Sequence, residues 1–224
     1  MVEKPIIQSI LFDLDGTLTD PKVGITTCIR YAMDTLGAQS SEQALDWCIG
    51  PPLLDSFAVL FDSQDPLLLN EAVSLYRERF SSVGLYENEL YPEIAQGLQQ
   101  LTQAGYQLYL ATSKPHIYAQ RILEHFNIDQ YFTAIHGSEL SGERTDKTAL
   151  IAYIVEQEKL NPAHCVMVGD RQYDIIGAKQ NNICSIGLSY GYGSLAELKQ
   201  ANPDYLFAQF STLIDFLLQN KSSQ

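Results

Sequence analysis

An apolar run, Ile6 to Phe12, ends in Asp13-Leu14-Asp15-Gly16-Thr17, and no other stretch limits the possible folds so much. The run has the length and apolar character of a buried strand, and Gly16 punctuates its end. In doubly wound α/β proteins, ligands bind just beyond the carboxyl ends of such strands. Asp13 and Asp15 stand at that end. Two carboxylates so close repel each other unless a cation or a proton offsets the charge. A hard cation such as Mg²⁺ is the natural partner for clustered oxygens. Taken alone, the pair could also cap a turn. An EF-hand loop fails on spacing, because the twelfth position counted from Asp13 is Gly24 rather than glutamate.

After Gly16 the periodicity becomes helical. Ile25, Ile29, Ala32, Met33 and Leu36 share one face, and Gly50-Pro51-Pro52 breaks the pattern. Leu53 to Phe61 and Pro66 to Phe80 read as two further helices, so residues 19–84 are expected to form an all-helical inserted cap. Beyond it, strands and helices alternate. Strands are predicted over 106–111, 134–136, 165–168, 184–186 and 205–207. Helices are predicted over 93–104, 117–126, from 146 or 147 through 155, 175–180 and 213–218. The loop 187–193 is rich in glycine and tyrosine and reads either as a substrate contact or as a connection. The expected fold class is α/β: a doubly wound, mostly parallel sheet built from residues 1–18 and 85–224.

Composition narrows the function classes. The chain has 224 residues and is 46% hydrophobic, enough for a sizeable core. A net charge of −13 argues against a general binder of nucleic acid or acidic membranes, while a small anionic substrate stays open. Cys28, Cys48, Cys165 and Cys184 form no C-x-x-C pair, and the four histidines fit no zinc-ligand spacing. No G-x-S-x-G occurs. No signal peptide and no membrane-length apolar run is seen, so a cytoplasmic protein is expected, as a monomer or homodimer.

Three predicted strand ends carry complementary chemistry. The first offers Asp13 and Asp15, the second Thr112, Ser113 and Lys114, and another Asp170 and Asp174. Lys147 lies near a predicted helix start. Parallel strands deliver their carboxyl ends to one edge, so these groups can converge. Read singly, Asp170 and Asp174 could merely cap a helix. Either lysine could be an ordinary surface residue, and Arg171 could steer anions or cover the surface.

At this point the sequence resembles the haloacid-dehalogenase-like hydrolase superfamily. Asp13-Leu14-Asp15-Gly16-Thr17 matches its first motif, Thr112 its second, Lys147 its third, and Gly169-Asp170-Arg171-Gln172-Tyr173-Asp174 its fourth. The segments Ile49-Gly50-Pro51-Pro52-Leu53, Ala111-Thr112-Ser113-Lys114-Pro115 and Tyr190-Gly191-Tyr192-Gly193 bring it close to the phosphoglycolate-phosphatase-like branch, nearest to bacterial 5′-nucleotidase-like members. Two positions depart from that pattern. Glu93 stands where glycine is expected, and Lys147 precedes Thr148 rather than proline, which leaves Lys114 as a rival for the phosphate-binding lysine.

The resemblance implies a Mg²⁺-dependent phosphatase acting on a small phosphorylated metabolite through an aspartyl-phosphate. Asp13 would be the nucleophile and Asp15 the general acid and base. Thr112, Ser113 and Lys147 would hold phosphoryl oxygens. Asp13, the Asp15 backbone carbonyl and Asp170 would hold the metal, with Asp174 acting through water or from behind. Dehalogenase relatives lack the second aspartate, so Asp15 favours phosphoryl transfer. A nucleoside 5′-monophosphate is the first expected substrate and 2-phosphoglycolate the second. A phosphomutase and a non-catalytic phospho-aspartate switch are the remaining readings.

Overall fold

The structure is a computed structural model and describes residues 6–38 and 44–221. The chain divides into two compact units. One comprises the chain up to Thr19 and from Leu90 onward; the other is Asp20–Glu89.

The first unit is a six-stranded, wholly parallel sheet in the order β5-β4-β1-β6-β7-β8. Its strands are β1 (Ser9–Phe12), β4 (Gln107–Pro115), β5 (Ala134–Ser138), β6 (Cys165–Gly169), β7 (Cys184–Leu188) and β8 (Tyr205–Phe207). The short strands β2 (Thr19–Asp20) and β3 (Glu89–Leu90) pair with each other where the chain passes between the units. Helices α4 (Ile94–Gln103), α5 (His116–His125), α6 (Lys147–Gln157), α7 (Gln172–Gln180), α8 (Leu195–Ala201) and α9 (Phe210–Lys221) complete the first unit.

β1 is central, and every residue of β1 and β6 is buried, which explains their unbroken apolar runs. On one face Leu11, Tyr109 and Met167 pack against Leu150, Ile151 and Ile154 of α6. On the other, Phe12 meets Phe210 of α9. In register, Phe12 faces Leu110 on β4 and Val168 on β6, so the next few residues of all three strands emerge at one edge. That edge, where the strand order reverses around β1, is where α/β sheets of this kind bind ligands.

Several boundaries differ from the sequence reading for identifiable reasons. β4 runs on to Pro115 because that residue pairs with Ser138 of β5 after a register shift that passes over Ser113 and Lys114. α7 starts at Gln172, with the Arg171 N–H donating to the Asp174 carboxylate. α8 was not predicted, although Ser194-Leu195-Ala196-Glu197 carries a start signal. The Ser194 hydroxyl accepts from the Glu197 N–H. Glu93 adopts a left-handed conformation, φ 66°, at the start of α4. A glycine there is free of the Cβ penalty, roughly 1–2 kcal/mol, that other residues carry in this region. The departure from the family pattern therefore has a backbone cost.

The second unit packs α1 (Lys22–Thr35) on α3 (Pro66–Ser82), with α2 (Leu53–Leu60) on α3. It extends to Glu89, beyond the predicted 84, because the Gly24 N–H of α1 donates to the Glu87 carbonyl. The Arg79 guanidinium donates to both Glu87 oxygens, at 2.7 and 2.9 Å, and to Cys28 Sγ at 3.2 Å. These hydrogen bonds hold the Glu87 carboxyl below the usual glutamate range. The pair is partly exposed, so Glu87→Gln is expected to cost about 0.5–1 kcal/mol at neutral pH. A depressed folded pKa means the contribution is complete above the ordinary glutamate pKa and lost as pH falls through the folded value. Urea melts should therefore show a gap between wild type and variant that closes in acid. A gap that persists there would remove the ion pair as its cause.

Candidate active site

The site is built at the carboxyl edge of β1, β4 and β6. Asp13 follows β1 directly, and its N–H donates to the Val168 carbonyl at 2.9 Å, which continues the sheet pairing. Its Oδ1 accepts from Lys147 Nζ at 2.9 Å. Lys147 opens α6, whose start is fixed by the Asp146 carboxylate accepting from the Ala149 N–H. The side chain is buried, and Nζ also donates to the Ala111 carbonyl at 2.8 Å and lies 2.9 Å from Asp174 Oδ1. Nζ thus donates to Asp13 and Ala111, while Asp174 Oδ1 lies within ion-pair distance without accepting a hydrogen bond. Lys114, the rival lysine, stands elsewhere: its Nζ is 2.8 Å from Asp15 Oδ2.

Asp170 follows β6 and is fully buried. Its Oδ1 accepts from the Thr17 hydroxyl at 3.2 Å and its Oδ2 from the Tyr192 N–H at 2.7 Å. Asp174 lies in the first turn of α7 and both caps that helix and pairs with Lys147, so the helix-start role and the site role coexist. Thr112 is buried at the β4 end, where its Oγ1 accepts from the Lys114 N–H. Ser113 follows it and gives its carbonyl to the Ser138 hydroxyl. The structure thus brings Asp13, Lys147 and Asp174 into direct contact. Asp15 and Lys114 form a second pair beside them. Arg171 neither steers anions freely nor simply covers surface, because its Nε donates to Glu197 at 2.9 Å.

Four carboxylates (Asp13, Asp15, Asp170, Asp174) face two ammonium groups (Lys114, Lys147), a formal charge of −2. The consequences follow electrostatics. Burial, then the charges of Asp174 and Asp13, push the Asp170 carboxyl up to about 8. Burial also raises Asp174, to about 6, against the opposing pull of Lys147. Burial raises Asp15, against the opposing pull of Lys114. Burial would lower Lys147, but Asp13 and Asp174 outweigh it and raise its pKa. The cluster is short of positive charge. Asp13, Asp170 and Asp174 each offer a carboxylate oxygen within 4.8 Å of the others. A hard-oxygen donor set with a −2 deficit fits a divalent cation such as Mg²⁺. The Asp15 side chain lies outside this trio, so only its backbone carbonyl remains for the ligand role expected of it.

Sequence reasoning missed the parts that support Asp170. The loop after β7 is more than a plain connection, because it packs on Thr17 and Asp170. The Tyr190 hydroxyl donates to the Thr17 carbonyl at 2.5 Å, and Tyr190 packs edge-on against Tyr91. A Cβ on Gly191 would overlap the Gly16 carbonyl and the Asp170 side chain. Gly16 itself has φ 83° and leaves no room for a Cβ beside Asp170. Gly191→Ala is expected to cost about 1–3 kcal/mol from overpacking against backbone. It should also weaken Mg²⁺ binding by displacing Asp170. Thermal melts and calorimetric Mg²⁺ titration check both, and a variant with unaltered stability would show that the loop yields freely.

The sheet order, the switch-point location and the acidic edge define a doubly wound α/β protein with a candidate cation site at its carboxyl edge. A family profile described as "Haloacid dehalogenase-like hydrolase" matches residues 10–188, and the chain belongs to that family. It is 45% identical over 206 residues to a 5′-nucleotidase from Pseudomonas aeruginosa, covering 92% of this chain and 93% of that protein. It is 37% identical over 187 residues to the tyrosine-protein kinase PtkA of Mycobacterium tuberculosis, covering 83% of this chain and 63% of that one. A phosphoglycolate phosphatase from Vibrio parahaemolyticus is 30% identical over 218 residues, with 93% and 95% covered. A solved structure described as a predicted phosphatase from Clostridium acetobutylicum superposes with a TM-score of 0.90 at 39% identity, covering 96% of this chain and 99% of that one. No described helix is long and apolar enough to cross a membrane.

Proposed function

We propose that this phosphoric monoester hydrolase cleaves a small phosphomonoester through an aspartyl-phosphate on Asp13, with a nucleoside 5′-monophosphate as substrate. The observation that carries the reading is Asp13 itself, at the end of the central strand, with Lys147 Nζ 2.9 Å from its Oδ1 beside the buried carboxylates Asp170 and Asp174. Lys147 lets a carboxylate approach a phosphate by lowering their mutual repulsion. Asp13 attacks phosphorus, and the bond to the ester oxygen breaks. Asp15 gives its proton to that oxygen as it leaves, then takes one from the water that attacks the aspartyl-phosphate, releasing phosphate and restoring Asp13. Thr112 and Ser113 hold phosphoryl oxygens. Lys147 can join them by turning one ammonium hydrogen toward a phosphoryl oxygen.

Asp13, Asp170 and Asp174 would hold Mg²⁺, with the Asp15 carbonyl as a further ligand. When bound, it supplies charge neutralisation for the phosphoryl group. The nucleotide reading follows the 45% relative, and phosphoglycolate is the alternative from the 30% relative. Free cysteines at positions 28, 48, 165 and 184 fit a reducing, cytoplasmic setting. The test is phosphate release from nucleotides, 2-phosphoglycolate, sugar phosphates and phosphotyrosine, with and without Mg²⁺. Nucleotides should be turned over fastest, and only with the metal. Preference for 2-phosphoglycolate would replace the substrate while keeping the chemistry, and metal-independent turnover would sink the chemistry.

A further inference from the structure

That reaction leaves one buried cation without a task. Lys114 sits in a bulge of β4: Thr112 pairs with Gly137 and Pro115 with Ser138, so Ser113 and Lys114 have no counterpart on β5. Bulges beside active sites re-aim side chains. Two hydrogen bonds pin this one, from the Lys114 N–H to Thr112 Oγ1 at 3.2 Å and from the Ser138 hydroxyl to the Ser113 carbonyl at 2.8 Å. The result is a lysine side chain only 6% exposed, with Nζ 2.8 Å from Asp15 Oδ2. The other oxygen, Asp15 Oδ1, is buried and has no hydrogen-bond partner among the described residues. One oxygen of this carboxylate is therefore held and the other is left without a partner.

We infer that Lys114 is a positioning residue for Asp15: it clamps Oδ2 so that Oδ1 faces the leaving oxygen and later the hydrolytic water. The inference rests on the reaction proposed above. It is distinct from phosphate holding, which would place the ammonium on Asp13, where Lys147 already stands.

The two half-reactions separate these roles. p-Nitrophenolate leaves phosphorus without needing a proton, whereas an alkoxide needs one. Hydrolysis of the aspartyl-phosphate needs Asp15 in both cases. With Lys114→Met and p-nitrophenyl phosphate, one equivalent of p-nitrophenolate should appear within about threefold of the wild-type rate, followed by turnover roughly 10–100-fold slower. With the best alkyl monophosphate of the panel, enzyme phosphorylation itself should slow by about 10–100-fold while KM moves less than about threefold. Lys114→Arg should recover part of the loss. In an Asp15→Asn background, Lys114→Met should change rates less than about twofold, because the residue it serves is gone.

Rapid mixing with acid-quenched phosphoprotein reads all of these. Should Lys114→Met fail to fold, Lys114→Gln carries the same comparisons. Equal slowing of phosphorylation with both substrates, a rise in KM as the main effect, or full additivity with Asp15→Asn would each overturn the assignment. Failure of the underlying reaction would appear separately, as turnover that survives Asp13→Asn in the wild-type background.

Discussion

Asp13→Asn should lose turnover by roughly four orders of magnitude or more, the scale on which removing a nucleophile acts, while melting within a few degrees of wild type. The two halves of this result have different origins. Chemically, an amide cannot form the aspartyl-phosphate, and no other carboxylate of the site stands both at the β1 end and on Lys147. Structurally, the amide oxygen can still accept from Lys147 Nζ, so the 2.9 Å contact survives. The charge of Asp13 also contributes to the raised pKa values of Asp170 and Asp174. Removing it reduces the formal deficit from −2 to −1 and relieves part of that repulsion. Stability should therefore hold or rise in the absence of metal, the reverse of what a core aspartate replacement would do. Steady-state phosphate release and metal-free thermal melts are the two readouts. Retained turnover, in protein shown free of contaminating phosphatase, would remove Asp13 as nucleophile. A large drop in melting temperature would show that its charge, not only its chemistry, is needed by the fold.

Much of this arrangement is legible in the sequence because parallel sheets make chemistry local. The apolar run before Asp13, the run before Thr112 and the run before Asp170 each announce a strand, and the polar residues that follow fall at one edge by topology. Lys147 is legible only through the family's motif order, since nothing in its neighbourhood distinguishes a buried lysine from a solvated one. Residues joined across the fold are not legible. Thr17 and Asp170 are 153 positions apart, and Tyr190 lies 173 from Thr17. No local periodicity marks such contacts. The β4 bulge is hidden for another reason: register shifts depend on the partner strand, so Ser113 and Lys114 read as a loop although they continue a strand.

The placement of Lys147 makes the second large effect predictable. Lys147→Met keeps the length of the side chain but removes the charge from between Asp13 and Asp174. Breaking a buried ion pair by deleting one partner typically costs about 3–5 kcal/mol, because the remaining charge stays desolvated. For a chain of this size that corresponds to a fall in melting temperature of roughly 6–20 °C. The formal charge of the cluster changes from −2 to −3, so a divalent cation gains more from binding. Added Mg²⁺ should consequently raise the melting temperature of Lys147→Met by more than that of wild type, through preferential binding to the folded state. Activity should not follow that recovery. Lys147 donates two hydrogen bonds, to Asp13 and Ala111, and pairs with Asp174 at 2.9 Å, and a cation bound to the carboxylates does not restore the ammonium beside Asp13 Oδ1. Lys147→Arg is expected to rescue little, since a planar guanidinium cannot aim donors at Asp13, Asp174 and the Ala111 carbonyl from one point. Calorimetry with and without Mg²⁺, paired with phosphate release, separates the two contributions. If Mg²⁺ shifts wild type and variant equally, Lys147 and the metal do not share the same carboxylates, and the charge deficit is not what recruits the cation.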